Sequence, residues 1–178
     1  MPWHYDSLTG IFRYPDGHVL ANNAYSGHGR GVNNPALQSL KAPEYKGKQS
    51  SDKYDAGPIP NGLYLIRPME AIHGRLRNAM PLSPDKLNNM YSRDAFLIHG
   101  DNGRGNRTSS DGCIIMELRH RNIINTSSEK HLLVGPWSAI VEIAGQEAVA
   151  RYESAANDMA AHHGGRLVRP NPADTLLL

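Results

Sequence analysis

The chain has 178 residues, of which 39% are hydrophobic and 20% charged, and its formal net charge is +2. These values are typical of a soluble globular protein with one domain-sized core, and the small charge argues against a nucleic-acid or anionic-membrane partner. A single cysteine excludes an internal disulfide and a multi-cysteine zinc cage, and no apolar run is long enough to span a bilayer.

The first predicted element is a β-hairpin. Pro15-Asp16-Gly17 is a strong turn signal, and the flanking stretches "GIFRY" and "HVLANNAYSG" have the pattern of two strands. Residues 27–56 are polar and rich in glycine, which indicates a long surface loop. Loops of that length within a compact domain are usually functional.

The middle of the chain predicts short strands separated by an irregular connection. Residues 73–95 have no clear periodicity, and we expect an irregular connection with one helical turn at most. The surrounding predictions are the strand "LYLIRP" before it, the strand "AFLIHG" ending at His99, "CIIMEL" as a strand or a helix start, "HRNIINTSSEK" as a helix or turn, and "HLLV" as a closing strand.

The last part of the chain differs in character from the rest. Apolar and small residues recur at helical spacing in "EAVARYESAANDMAAHHGG", and its final glycines supply a helix stop. We therefore expect a catalytic or binding domain at residues 1–134 and a C-terminal extension at 135–178, made of a helix and a loose tail.

The lone cysteine, Cys113, follows a Ser-x-Gly turn and lies fourteen positions after His99. A loop of that length can bring the two side chains together, and an imidazole within hydrogen-bonding reach would lower the thiol pKa and donate a proton later. Gly112 permits a sharp turn that would leave the Gly112 and Cys113 N–H groups free for an oxyanion. Ser110 can brace the turn or orient a substrate. A buried structural cysteine is the competing interpretation.

The segment His99-Gly100, followed after a loop by Ser110-Asp111-Gly112-Cys113, resembles the signature of YkuD-type L,D-transpeptidases. It departs from that signature at Asp111, where the main family commonly has histidine, and in the apolar "IIM" after the cysteine. The blocks "YSGHGRGVNNP", "GPIPNGLY" and "IHGDN…SSDGCIIM" are more similar to the L,D-transpeptidase-like effectors of bacterial type VI secretion. This resemblance covers most of residues 3–134.

The resemblance implies a mainly β fold, an L,D-transpeptidase-like sandwich or barrel with few short helices and a C-terminal helical extension. It also implies that Cys113 attacks the peptidoglycan stem tetrapeptide and releases D-Ala, with water (L,D-carboxypeptidase) or another D-amino acid (L,D-transpeptidase) completing the reaction. No cofactor or metal is expected. The resemblance implies an immunity protein and a secretion-apparatus component as partners. Because "MPWHYDSLTG" lacks signal-peptide features, we expect synthesis in the cytoplasm and activity in a target periplasm.

Six further side chains are candidates for substrate contacts. Asp101 and Asp111 are suited to tuning His99 or to binding a cationic group. Arg93 is suited to a stem carboxylate, and a structural arginine is the competing interpretation. The remaining three lie in a glycine-rich loop where such side chains often brace turns: Tyr25, Ser26 and Asn34.

Two other functions remain open from the sequence. One is a zinc-dependent cell-wall peptidase or amidase that uses His99, Asp101 and a further histidine, although no H-E-x-x-H pair is present. The other is a peptidoglycan-binding module that has lost turnover. A chelator or a thiol-alkylating agent would separate the two chemistries, and a binding module would yield no product.

Overall fold

A computed structural model describes residues 1–43, 54–72 and 76–139 of the chain. Residues 1–137 fall within one compact unit. The predicted extension at 135–178 lies almost wholly outside the described residues, so the domain division at residue 134 stays a prediction. No helix in the described ranges is both long and apolar enough to cross a membrane.

The described residues form ten strands that join in a single sheet, which confirms the predicted mainly β fold with few short helices. The strands are β1 (Trp3–Tyr5), β2 (Phe12–Arg13), β3 (Val19–Ala21), β4 (Tyr25–Ser26), β5 (Gly62–Ile66), β6 (Glu70–Ile72), β7 (Leu76–Pro84), β8 (Leu97–His99), β9 (Ile114–Ile115) and β10 (His131–Val134). One α-helix, α1 (Leu118–Thr126), and two 3-10 turns at Gly29–Gly31 and Pro35–Leu37 complete these elements.

The strand order is β3-β2-β1-β10-β5-β7-β8-β9-β4, with β6 pairing to β7. Most neighbours are antiparallel, and the two parallel pairs are β1 with β10 and β8 with β9. A parallel pair needs a crossover connection, and the loop from residue 100 to 113 supplies it between β8 and β9. This crossover brings His99, the end of β8, opposite Ile115, the end of β9.

The predicted hairpin is confirmed. Strands β2 and β3 pair antiparallel with Arg13 opposite Val19, and the Tyr14 N–H donates to the His18 carbonyl at 2.9 Å across the turn. Gly17 has φ +91° in that turn, a backbone conformation that glycine adopts without strain.

The prediction for residues 73–95 is wrong in its main feature. Leu76–Pro84 form β7, a nine-residue strand that pairs with β5, β6 and β8. Its prolines and polar residues obscured the strand pattern, yet Pro81 faces Leu97 across the ladder and its carbonyl accepts from the Arg67 N–H at 2.8 Å. The ambiguity at "CIIMEL" resolves as a short strand, β9, followed by the start of α1.

The core lies along the centre of the sheet. Fully buried aromatic and aliphatic side chains line it, and β8 and β9 contribute Ile98 and Ile114, which are opposite each other in register. Complete burial of such side chains contributes roughly 1.5–3 kcal/mol each. The strands that carry the candidate site are therefore fixed from beneath by the core.

Candidate active site

Strand register brings the predicted nucleophile and base onto neighbouring segments of the sheet. His99 is opposite Ile115 in the parallel pair, and Tyr25 is opposite Ile115 on the other side of β9. Cys113 directly precedes β9 and lies two residues before Ile115. One strand spacing and two residue steps therefore separate the backbones of Cys113 and His99, a distance of roughly 8 Å.

Cys113 is partly exposed as a residue, but its thiol group is buried and is protonated at neutral pH. Loss of water around the sulfur raises the thiol pKa to about 11, and the Asp111 carboxylate adds to this rise, whereas the Leu97 backbone and the Arg93 guanidinium oppose it. This corrects the expectation of a lowered thiol pKa. No hydrogen bond joins Cys113 and His99 in the part of the chain that the structure describes.

His99 is 5% exposed, and its Nδ1 lies 2.8 Å from the Gly100 carbonyl oxygen. A carbonyl can only accept, so Nδ1 carries the proton and Nε2 is the basic nitrogen. Burial lowers the pKa of His99, and the Arg121 guanidinium acts in the same direction against the hydrogen bond to Gly100 and the charge of Asp101. The imidazole is therefore neutral at neutral pH, with Nε2 available to take a proton.

Ser110 holds the nucleophile turn together from inside. Its hydroxyl is buried, donates to the Cys113 carbonyl at 2.6 Å, and accepts the N–H groups of Gly27 and Gly112, each at 3.0 Å. The expectation that both turn N–H groups are free is corrected, because Gly112 N–H is occupied. The Cys113 N–H has no acceptor among the described residues and is the one available to an oxyanion.

Gly112 is required by both its backbone and its surroundings. Its φ is +132°, and a Cβ there would lie 2.7 Å from the Phe96 ring and closer still to Arg93 Nη2. Real side chains avoid that region of φ/ψ space. The turn before Cys113 therefore accepts only glycine at this position.

Arg93 is buried beneath the turn and binds backbone carbonyls. Nη1 donates to the carbonyls of Gln38 and Pro58, and Nη2 donates to those of Gly57 and Asp111 at 2.8 Å. With 7% of its surface exposed, the guanidinium supports three loops. The geometry favours the structural interpretation of Arg93 over a contact with a substrate carboxylate.

Two of the other candidates also have structural contacts. Ser26 is fully buried, donates to the Gly112 carbonyl and accepts the Ile59 N–H, both at 2.8 Å. Asn34 caps the 3-10 turn at Pro35–Leu37. Both brace the loops around the turn.

Three candidates lie closer to the catalytic face or to solvent. Tyr25 donates its hydroxyl to Asp101 Oδ1 at 3.0 Å, beside the His99 strand. Asp111 is exposed and accepts from the Tyr54 hydroxyl at 2.5 Å. Tyr25 and Asp101 are thus brought together next to His99, whereas Asp111 lies on the outer side of the nucleophile turn.

A cavity of about 300 Å³ adjoins this face. Its lining residues are Asn23, Tyr25, Gly100, Asp101, Ile115, Met116, Glu117, Leu118 and Arg121. Sequence reasoning missed Arg121, because the direction in which a helical arginine points is set by packing and has no local sequence signal. The described residues contain no group of three or more His, Cys, Asp or Glu side chains that could hold a metal ion.

Cys113 and His99 thus lie on neighbouring segments of a mainly β domain. Residues 21–134, more than half of the chain, match the Tlde1 domain. The chain therefore belongs to the Tlde1 domain family, a family of type VI secretion effectors of the L,D-transpeptidase type. Comparisons with curated proteins and with solved structures gave no match.

Proposed function

We propose that the protein is a cysteine-dependent enzyme that removes D-Ala from peptidoglycan tetrapeptide stems or exchanges it for another D-amino acid. The observation that carries this proposal is that Cys113, directly before β9, lies close to His99 at the end of β8. His99 Nδ1 donates to the Gly100 carbonyl, so Nε2 is the basic nitrogen. Family membership supports the substrate class.

The reaction begins from an uncharged thiol and an uncharged imidazole. Cys113 Sγ forms a bond to the carbonyl carbon at the L-centre of the third stem residue, while the thiol proton passes to His99 Nε2. The Cys113 N–H stabilises the oxyanion. The C–N bond to D-Ala then breaks, its amine takes the proton from His99, and a thioester remains.

The second half of the reaction determines the product. Water adds to the thioester carbonyl with His99 as base, the C–S bond breaks, and the sulfur regains a proton, which leaves a tripeptide. If the amine of a D-amino acid adds instead, the product is an exchanged stem. An acceptor stem amine would give a cross-link by the same steps.

Delivery and partners are part of the proposal. As a type VI effector of this family, the protein would be carried into a target periplasm, where stem peptides are accessible. An immunity protein would protect the producing cell. The proposal also keeps residues 135–178 as an extension outside the catalytic domain.

Mass spectrometry of purified muropeptides tests the function. Wild-type protein with tetrapeptide stems and added D-Met is expected to yield tripeptide or D-Met-exchanged stems, and Cys113→Ala and His99→Gln are expected to yield neither. His131→Gln is the matched control, because His131 is exposed on β10 and, among the described residues, its side chain hydrogen-bonds to Glu129 alone. Full activity in Cys113→Ala would overturn the proposal, and chelator-sensitive activity in that variant would favour the zinc alternative. Stem binding without any product would favour the non-catalytic module.

A further inference from the structure

The cavity beside His99 has no role in the proposed reaction steps. Ile115 and Tyr25 line it and share the face of His99, and Gly100 and Asp101 follow His99 directly. Ile115 lies two residues beyond Cys113, which places the cavity wall roughly 7 Å from the nucleophile along the strand. A group bound there would be within reach of a substrate attached at Cys113.

Arg121 gives the cavity a buried positive charge. Its side chain is 5% exposed, Nε donates to the Met116 carbonyl at 3.1 Å, and Nη1 donates to the Asn78 carbonyl. Nη2 has no hydrogen-bond partner among the described residues, and the guanidinium forms no ion pair with them. A buried charge without a counter-ion is costly, so Nη2 is a donor prepared for an anion.

Gly100 keeps the approach to that donor open. A Cβ at this position would lie 2.9 Å from Arg121 Nη2, so a larger residue would crowd the guanidinium. The next residue is Asp101, whose Oδ1 accepts from the Tyr25 hydroxyl, the Asn102 N–H and the Ser109 hydroxyl.

These hydrogen bonds keep Asp101 ionised. Burial alone would raise the pKa of Asp101, but hydrogen bonds from Ser109, Asn102 and Tyr25 outweigh it and lower the pKa. Asp101 Oδ2 accepts no hydrogen bond from any described residue. Asp101 and Arg121 line the same cavity without forming an ion pair, so a ligand with both charges can contact the two groups at once.

We propose that this cavity binds an amino-acid group, one carbon bearing an ammonium and a carboxylate, with the carboxylate on Arg121 Nη2 and the ammonium on Asp101 Oδ2. The assignment of the ligand's source rests on the proposed function. Two parts of that reaction carry such a group: the side-chain amino-acid centre of diaminopimelate in the donor stem, and the incoming D-amino acid.

Binding to a Cys113→Ala protein tests the subsite without requiring turnover. Calorimetric titration with meso-diaminopimelate and with D-Met is compared with titration by cadaverine, which has ammonium groups only, and pimelate, which has carboxylates only. The amino-acid ligands are expected to bind more tightly than either single-charge probe. Arg121→Gln should weaken amino-acid binding roughly 10- to 100-fold, the loss expected for one charged hydrogen bond.

Three further variants complete the binding test. Arg121→Lys retains the charge and is expected to retain part of the affinity. Asp101→Asn tests the ammonium side independently if Arg121→Gln fails to fold. Arg67→Gln is the matched control, because Arg67 is an exposed arginine that does not line the cavity. Equal affinity for single-charge probes, or unchanged affinity in folded Arg121→Gln and Asp101→Asn proteins, would overturn the proposal.

Two kinetic experiments show whether the bound amino-acid group belongs to the donor stem or to the incoming D-amino acid. If the donor stem occupies the cavity, the wild type prefers diaminopimelate stems over lysine stems, and Arg121→Gln removes that preference. If the acceptor occupies it, Arg121→Gln raises the KM for D-Met and does not change the ratio of diaminopimelate-stem to lysine-stem hydrolysis. Amino-acid binding in a protein without turnover would support the subsite and overturn the proposed function. Turnover that is unchanged by substitution of Arg121 or Asp101 would support the proposed function and overturn the subsite.

Discussion

The pKa of the Cys113 thiol is shifted upward and the pKa of the His99 imidazole downward. Together these shifts define the protonation state of the free site. Burial raises the pKa of Cys113 to about 11 and lowers the pKa of His99 below its ordinary value of 6.5. Between those two pKa values, the thiol is protonated and the imidazole is neutral. In charge, the pair therefore resembles the uncharged hydroxyl–imidazole pair of a serine enzyme, and under the proposed function the thiolate would form only as the substrate is attacked.

This resting state predicts the pH profile of kcat/KM. Activity requires neutral His99, so the acid limb is expected below pH 6.5. A thiolate–imidazolium pair would lose activity as the imidazolium deprotonates near neutral pH, whereas the uncharged pair retains a plateau through pH 8–9. Tetrapeptide hydrolysis measured from pH 4 to pH 10 checks this, with circular dichroism as a control for unfolding. A bell-shaped profile centred below pH 7 would contradict it.

The raised pKa of the Cys113 thiol also makes the stability of the folded protein depend on pH. A folded-state pKa raised from 9.0 to about 11 means that the unfolded chain releases the thiol proton first as the pH rises. The contribution of Cys113 to stability is therefore complete below pH 9 and is lost between about pH 9 and pH 11.

At the scale of elements, the turn before β9 depends on hydrogen bonds from several segments. Ser110 connects it to Gly27, Ser26 binds the Gly112 carbonyl, and Arg93 binds the Asp111 carbonyl. The partners come from the β4 loop and from the segment before β8. The position of the nucleophile is therefore a property of three segments that meet, and each one is a point at which a substitution can displace Cys113.

Gly112→Ala is expected to lower both stability and activity. The new methyl group would meet Phe96 and Arg93 at a backbone φ of +132°, and the combined strain is expected to cost about 3 kcal/mol or more. Gly103→Ala is the matched control, since Gly103 also has positive φ, +77°, but has open space around it, and should cost about 1–2 kcal/mol. Urea unfolding and tetrapeptide hydrolysis measure the two effects, and equal losses in the two variants would contradict this account.

At the scale of the whole molecule, Arg93 connects loops that are far apart in sequence. Its guanidinium contacts the carbonyls of residues 38, 57, 58 and 111. A lysine ammonium group cannot replace the planar guanidinium here, because it cannot direct hydrogen bonds to all four carbonyls from two separate nitrogens. The active-site turn is thus coupled to the folding of the domain around it.

Arg93→Lys is expected to lower the free energy of unfolding by roughly 2–4 kcal/mol, because two or more hydrogen bonds from a buried charge are lost. Thermal unfolding should show a Tm several degrees lower, together with reduced tetrapeptide turnover. Arg119→Lys, at an exposed position of α1, should leave both quantities unchanged. An unaltered Tm in Arg93→Lys would show that the loops are held by other contacts.

The sequence predicted those parts of the fold and site that depend on local pattern. The hairpin, β5, β8 and β10 follow from turn residues and apolar runs, and the family assignment to type VI effectors is confirmed by the match at residues 21–134. The wider YkuD relationship and the catalytic roles of Cys113 and His99 stay predictions. β7 was missed because Pro81 and Pro84 hide a strand whose pairing is only visible from its neighbours.

The features that could not be predicted from the sequence are those that depend on burial. Whether Arg93 points at a substrate or at four carbonyls cannot be read from its neighbours in sequence, and neither can the direction of the Cys113 pKa shift. Both depend on which distant segments exclude water from the side chain. The position of Arg121 in the cavity wall could not be predicted for the same reason. A residue of α1 lines this cavity only because the helix packs against the sheet.

The lone thiol also allows the dynamics of the turn to be measured without engineering the protein. An alkylating reagent reacts with the thiolate. At pH 8 the thiolate is scarce while the pKa is about 11, and it becomes roughly 100-fold more abundant once the turn opens and the pKa returns to its ordinary value of 9.0. The labelling rate of native protein therefore reports how often the turn opens. Because Cys113 is the only cysteine, every modified molecule records an opening at that one place.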